Sequence, residues 1–539
     1  MPHGENRGYD YVIVGSGSAG SLLANRLSQD PQTRVLVLEA GGQDRNHWLK
    51  LPVGYFRTIY DARFSRVFDT EPSEGSGNRA IAWPRGRIVG GSSSINGLIF
   101  IRGQADDFDG WAQSGAIGWS YADVLPHFRA LERYSGGSDS YRGRTGELQV
   151  SDLRNANPAC AAWVEAAQQY GLPYNPDFNG ETTYGVGSYQ LTLGRRFRAS
   201  AAASFLRPAL KRGNVDLLTG ALVSRVIIEA GKAVGVEYLA GKERHVVRAD
   251  REVILSAGTI QSPQILQLSG IGPADHLRSL GLPVLVDAPE VGENLQDHYQ
   301  MRLIVRLNRK LSLNDDVRNV FKLARMGAQW VLQGTGPLTV GAGQVGGAAC
   351  TPYAHGGRPD VQFNVMPLSV DKPGTPLHRY SGFTASVYQC HPESRGRVSV
   401  TSADPAASPR IEPRYFERRI DRQTIVAGVK MLRDIHEQPA FKALWSEEVV
   451  PGSAVRSDEQ IWDAVRSMGG TVFHPVGTCR MGTDSASVLD PQLRVRGVDG
   501  LRVIDASVMP RIVSANSNAA TLMVAEKGAS LVLGRDGAG

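Results

Sequence analysis

The 539-residue chain has only four cysteines, Cys160, Cys350, Cys390 and Cys479, far apart and with no Cys-x-x-Cys pair. That is too few for a disulfide framework in a chain of this length, and the spacing offers no Cys–Cys zinc site, so a reducing compartment is expected. No stretch approaches the roughly 18 apolar residues of a spanning helix, and the polar Met1–Asp10 has no apolar signal region. A cytoplasmic protein is expected, with peripheral membrane attachment left open because amphipathic association leaves a weaker trace. Charge of one sign is scarce as well: 59 Lys+Arg stand against 53 Asp+Glu, a net +6 scattered along the chain, and no nucleic-acid partner is expected. Repeats, heptads, low-complexity tracts and long linkers are absent, so any domains must be interleaved.

Glycine (61) and proline (29) are plentiful, while 42% hydrophobic residues are enough for a sizeable core. Strand-like runs at Tyr9–Val14, Val35–Leu38, Val223–Ile228, Val253–Leu255 and Leu501–Ile504 alternate with helical patterns such as Ala19, Leu22, Leu23 and Leu27, which predicts an α/β sheet of mostly parallel strands. In the middle of the chain, Asp360–Met366, Phe383–Cys390 and Gly396–Val400 predict a second sheet, with amphipathic helices near Ile420–Ile435 and Glu459–Met468.

Residues Tyr11–Gly20 read YVIVGSGSAG, a strand running into Gly15, Gly17 and Gly20. This G-x-G-x-x-G pattern provides a tight turn, close backbone approach to a pyrophosphate and close packing of the next helix, with Ser18 and Ala19 at its N-terminus. A second strand, RVLVLEAG, ends in Glu39, 19 residues beyond Gly20, where an acid can accept from adenosine ribose hydroxyls. These features do not separate FAD from NAD.

Further segments do. GRIVGGSSSINGLIFIRG (Gly86–Gly103), SAGTIQSPQILQLSGIG (Ser256–Gly272), VGENLQDH (Val291–His298), PESRGRVSVTSADP (Pro392–Pro405), FHPVGTCRMG (Phe473–Gly482), VIDASVMP (Val503–Pro510) and ANSNAATLMVAEK (Ala515–Lys527) together resemble the glucose–methanol–choline (GMC) family of FAD-dependent oxidoreductases, in its bacterial alcohol and choline dehydrogenase-like branch. The resemblance implies an α/β fold with an α+β substrate part: a Rossmann-like FAD-binding domain (1–155, 200–305 and 470–539) interleaved with a substrate domain (156–199 and 306–469) built on an antiparallel sheet flanked by helices. By the same resemblance Gly15–Gly20 and Glu39 hold the ADP part and Val223 meets the adenine. Gly90, Gly91, Ser92, Asn96, Gly97 and Leu98 lie beside the pyrophosphate and flavin, and Asp505, Ala506, Asn518 and Thr521 are C-terminal flavin contacts. Asn518 is read as N-cap of a helix Ala519–Leu533, with Ala520 where the family often has Pro. Ile95 stands where some relatives attach FAD through a His, so the flavin is expected to be non-covalent.

The resemblance assigns His474 as the base that removes the hydroxyl proton and Asn516 as the group that holds the substrate oxygen during hydride transfer to flavin N5. His298 is read as ordering a loop, Cys479 as a packed residue, and Thr339–Ala348 as lining the substrate entrance with Phe473. Gln344 is matched to a Glu that pairs with the trimethylammonium group in choline-using relatives; its neutral amide favours a neutral primary or secondary alcohol. A quinone-like electron acceptor is expected. An oxidase reducing O2, a hydroxynitrile lyase that keeps the flavin as a structural element, and a nicotinamide enzyme are the alternatives.

Overall fold

Val12, Ile13 and Val14 are buried in succession, as a parallel strand covered on both faces requires. The computed structural model describes residues 8–154, 156–372 and 374–535. Tyr9–Val14 lies inside a seven-stranded sheet ordered Val215–Thr219, Val35–Glu39, Tyr9–Val14, Glu243–Leu255, Lys232–Ala240, Ala221–Glu229. The first four of these run parallel, with Val12 opposite both Leu36 and Val253. The 13-residue strand Glu243–Leu255 is shared along its length: its first half pairs antiparallel with Lys232–Ala240, and Val253–Leu255 pairs parallel with Leu501–Val503. The expected strand Val223–Ile228 thus belongs to an antiparallel hairpin added to the parallel core.

The second sheet is antiparallel, ordered Val345–Ala349, Val361–Met366, Gly382–Gln389, Tyr299–Leu307, Trp445–Val450, with Gly470–Thr471 also pairing with Tyr299–Leu307. Val361, Phe363, Val365, Phe383, Ala385 and Val387 share an apolar cluster with Trp163 of helix Pro158–Gln169 and with Ile425, Val429 and Leu432 of helix Arg419–His436. Two expectations change. Tyr299–Leu307 and Gly470–Thr471 lie in this sheet, so boundaries drawn at 305 and 470 cut through it. Arg397–Ser399 does not join it: Arg397 and Ser399 stay partly exposed around the buried Val398, and the strand forms a ribbon with Arg410–Glu412.

The first and last long helices fix how the chain closes. Ser18 Oγ of Ser18–Leu27 donates to Asn518 Oδ1 of Ser517–Val532 at 2.7 Å. About two turns further on, Arg26 Nε donates to the Glu526 carboxylate at 2.9 Å. Both links span a sequence separation of 500, so the helices run parallel with their N-termini side by side. Arg26 also holds Glu147. Because Arg26 and Glu526 are almost fully covered, Arg26→Leu leaves a buried carboxylate without its cation, expected to cost about 3 kcal/mol, read as a lower urea midpoint. The double variant Arg26→Leu/Glu526→Leu is expected to regain part of that loss; a single variant as stable as the parent would contradict the reading.

Candidate active site

A cavity of about 720 Å³ lies where the two sheets meet. At one end the strand Tyr9–Val14 gives way to the glycine turn. Gly15 has φ +101°, and a side chain there would strike Ser256 O at 2.5 Å, so the turn closes against the neighbouring strand. Gly20 sits against Gly15 O, where a Cβ would come within 1.9 Å. A Cβ on Gly17, by contrast, would have only Gly91 Cα within 4 Å, at 3.9 Å, which leaves the backbone open to the cavity. Gly15, Gly17, Ser18 and Ala19 line it; Gly20 lies behind them as packing.

Glu39 is buried at the tip of its strand. Its carboxylate accepts from Ser16 N–H and Oγ and from Gly41 N–H at 2.6–3.1 Å, while burial pushes its carboxyl up. Val223 lines the same end. Gly91, Ser92, Asn96, Gly97 and Leu98 also reach the cavity, whereas Gly90 turns behind them and donates to Ser16 O at 3.0 Å. Asn96 Oδ1 accepts from Arg198, which fixes the turn. Ile95 lines the cavity from an apolar cluster with Leu49, Phe64 and Ile88 and carries no nucleophile. An acid-tipped strand, an open glycine turn and a long cavity suit an extended dinucleotide.

Asp505 is a fastener: it accepts from Gly258 N–H and Ser262 Oγ at the start of helix Gly258–Leu268 and from Ser507 N–H. Asp505, Ala506, Asn518 and Thr521 line the cavity. The last helix begins two residues earlier than expected, at Ser517 with Asn516 as N-cap residue, so Asn518 is not the cap. Its side chain is instead engaged by Ser18.

In the same cavity stands His474, buried and ordered by its neighbours. Its backbone N–H donates to Asp297 Oδ1 at 2.8 Å. Asp297 Oδ2 accepts from Tyr415 OH, Arg85 donates to Phe473 O at 2.9 Å, and Phe473 N–H donates to Thr471 Oγ1 at 2.7 Å. These bonds hold Phe473 at φ +66°, a left-handed conformation costly for an aromatic residue. Burial pushes Arg85 down to about 10.

The ring contacts determine the tautomers. His298 Nε2 lies 3.0 Å from Cys390 O, which only accepts, so Nε2 carries the proton. Neutral His298 then presents a lone pair at Nδ1, 3.1 Å from His474 Nδ1, which must donate. His474 Nε2 is left with its lone pair, and Asn516 Nδ2–H donates to it at 3.0 Å. Burial first, then His298 and Arg85, pushes His474 well below its ordinary 6.5, and burial pushes His298 down to about 3. Both rings are neutral near pH 7. Asn516 Oδ1 is buried with no protein partner among the described residues. The arrangement pairs a neutral basic nitrogen with an amide donor at the cavity wall, complementary to the donor and acceptor of a hydroxyl group.

His298 is therefore more than a loop residue; it orders His474, and the 176-residue separation hid this from the sequence. Gln344 is corrected: its backbone begins the edge strand through bonds with Val365 O and Tyr189 N–H, and its side chain is buried without a partner among the described residues, outside the cavity lining. Of Thr339–Ala348, Ala342 lines the cavity, while Val345–Ala348 falls in the edge strand. The wall near His474 is built from Gln300, Arg302 and Phe473, with Asp371 and Lys372 further along the cavity. Cys479 is packed with its thiol pushed up by burial.

A dinucleotide turn and a buried neutral histidine lining one cavity fit a dinucleotide-dependent oxidoreductase. Profiles described as GMC oxidoreductase match residues 9–300 and 392–525. The chain is 40% identical over 532 residues to an oxygen-dependent choline dehydrogenase of Brucella canis (98% of this chain, 96% of the relative). It is 39% identical to an alcohol dehydrogenase (acceptor) of Pseudomonas putida (97% and 96%). The crystal structure of pyridoxine 4-oxidase from Mesorbium loti superposes with a TM-score of 0.87 at 30% identity, covering 97% of this chain and 98% of that one. The chain belongs to the GMC oxidoreductase family.

Depressed histidines make the fold acid-sensitive. The unfolded chain protonates near 6.5, whereas folded His298 and His436 are held near 3 and His474 well below 6.5. Protons are therefore bound preferentially by the unfolded chain below about 6.5, and stability present above that pH falls by about 1.4 kcal/mol per pH unit for each histidine. Thermal midpoints at pH 7.5 and 5.5 test this; equal values would refute it.

Proposed function

We propose that the protein oxidises a neutral primary or secondary alcohol to an aldehyde or ketone with non-covalently bound FAD and passes the electrons to a quinone-like acceptor. The observation that carries this reading is the lone pair of His474 Nε2 beside Asn516 Nδ2–H in the same cavity as a dinucleotide turn. FAD, when bound, supplies the hydride acceptor. Gly15, Gly17 and Glu39 hold its ADP half, and Gly91, Asn96, Asp505, Ala506 and Thr521 flank the remainder. His474 Nε2 takes the hydroxyl proton. Asn516 donates to the oxygen as negative charge develops there, an interaction that strengthens toward the transition state. His298 keeps the Nδ1 proton of His474 engaged, so the ring cannot turn its lone pair away.

The wall chemistry supports a neutral substrate. Arg85 and Arg302 flank the site and Lys372 stands beside Asp371, so the surroundings carry more cationic than anionic groups. A trimethylammonium group would enter without a dedicated carboxylate. Phe473 supplies an apolar surface.

Alcohol added without oxygen is expected to bleach the flavin absorbance. His474→Ala should slow that bleaching by at least ~10²-fold, the usual scale for a positioned base, and His298→Ala by about tenfold with a weakened dependence on pH. The parent rate should stay level through pH 6.5 and fall only well below it, where the folded His474 is protonated. Near-parent bleaching by His474→Ala removes its assigned role, and no bleaching by any alcohol would indicate a lyase. Peroxide formed under air faster than dye is reduced under argon would replace the quinone with O2; choline turnover equal to that of neutral alcohols would reject the substrate class. Yellow colour remaining in an acid-precipitated pellet would refute non-covalent binding.

A further inference from the structure

The helix Val320–Gln333 is inverted relative to an ordinary surface helix. At 100° per residue, Val320, Ala324, Ala328 and Val331 share one arc with Phe321 and Leu332. That arc faces outward: Phe321 is 84% exposed, Leu332 73%, Val320 70% and Val331 54%. The opposite side is what the protein covers, through Met326 and through Trp330, whose Nε1 donates to Arg196 O at 3.1 Å and whose ring meets Phe197 edge-on at 5.5 Å. Phe197 is itself half exposed. Such a contiguous apolar face is unfavourable in water and marks an interaction site.

Charge selects the partner. From Val317 to Gln333 there is no Asp or Glu; Arg318 and Arg325 are exposed there, Lys322 is paired with Asp316 at 2.7 Å, and the adjoining Arg195 and Arg196 add exposed and half-exposed cations, whereas Arg198 is buried against Asn96. The helix is anchored at its start by Asn319, which caps Phe321 and Lys322 N–H, and at its end by the left-handed Gly334, so the face is held rigidly. We propose that this face docks the protein onto a bilayer containing anionic lipids, with Phe321, Leu332, Val320 and Val331 entering the headgroup–acyl boundary and the basic side chains meeting the headgroups. A second copy of the chain applied to the same face would bring like charges together. The proposal does not rest on the assignment of substrate or acceptor.

Sedimentation of the FAD-loaded protein with vesicles of phosphatidylcholine alone, or of phosphatidylcholine with phosphatidylglycerol, tests it. Binding to the phosphatidylglycerol vesicles that weakens with salt is expected. Phe321→Asp/Leu332→Asp should lower the partition coefficient at least about tenfold, with the thermal midpoint unchanged. Lys322→Glu/Arg325→Glu, which leaves the apolar arc intact, should lower binding to the anionic vesicles, and it carries the test if the first variant does not fold. The proposal is overturned by no binding to either vesicle, by equal binding of both folded variants and parent, or by a homodimer in solution that Phe321→Asp/Leu332→Asp dissociates without any vesicle binding by the parent.

Discussion

The parallel pairing of the first and last long helices is the constraint on which the site depends. Ser18–Asn518 and Arg26–Glu526 set two helices side by side in the same direction, so both N-termini open at the same end. Asp505 brings in a third, Gly258–Leu268, by bonding its first backbone N–H and tying it to Ser507. Each N-terminus carries about half a positive charge from its aligned peptides. Convergence of three such ends on one cavity creates a field suited to anionic groups without spending many cationic side chains. Displacing either end of the chain would remove one of the three and open the cavity, which explains why residues at opposite ends of the sequence are joined by partly buried polar bonds.

Much of this was legible locally. The turn Gly15–Gly20, its flanking strands and Glu39 form a signal contained in one contiguous stretch of chain, Tyr9–Glu39, even though the turn is completed by distant residues such as Ser256 and Asn518. The second sheet was legible in part, because Val361–Met366 and Gly382–Gln389 alternate an apolar face (Val361, Phe363, Val365; Phe383, Ala385, Val387) with a more polar one. Tyr299–Leu307 was not assigned to it: its alternation with Gln300, Arg302 and Arg306 resembles many strands, and its partners Gly382–Gln389 and Trp445–Val450 are far away in sequence. Gln344 was misjudged for a related reason. A glycine-rich stretch reads as an open loop, but Gly346 and Gly347 are there because Phe363 O, Gly185 O and the Tyr189 ring leave no room for a Cβ, and the stretch is a tightly packed edge strand. The start of the last helix was misplaced by two residues because Asn516 and Asn518 are equally good caps on composition, and contact with Ser18 decides between them.

The site's electrostatics turn on where Asp297 points. A carboxylate next to a histidine in sequence space suggests a ring–carboxylate pair, which would raise the histidine's pKa and protonate it near neutrality. Here both Asp297 oxygens are occupied elsewhere, one by the His474 backbone N–H and the other by Tyr415 OH. The negative charge therefore fixes the backbone at Phe473–His474 without touching the imidazole. What the ring meets instead is a second neutral imidazole, His298, whose own proton is committed to a carbonyl. Orientation and charge state are thus set by separate groups: Asp297 and Arg85 hold the main chain, His298 selects the tautomer, and burial keeps the ring unprotonated. In the role of base proposed for it, a ring arranged this way is ready at neutral pH, but the proton it would accept creates a cation with no carboxylate against the ring. That protonated state is disfavoured by the same burial, so the geometry favours prompt release of the proton over its storage.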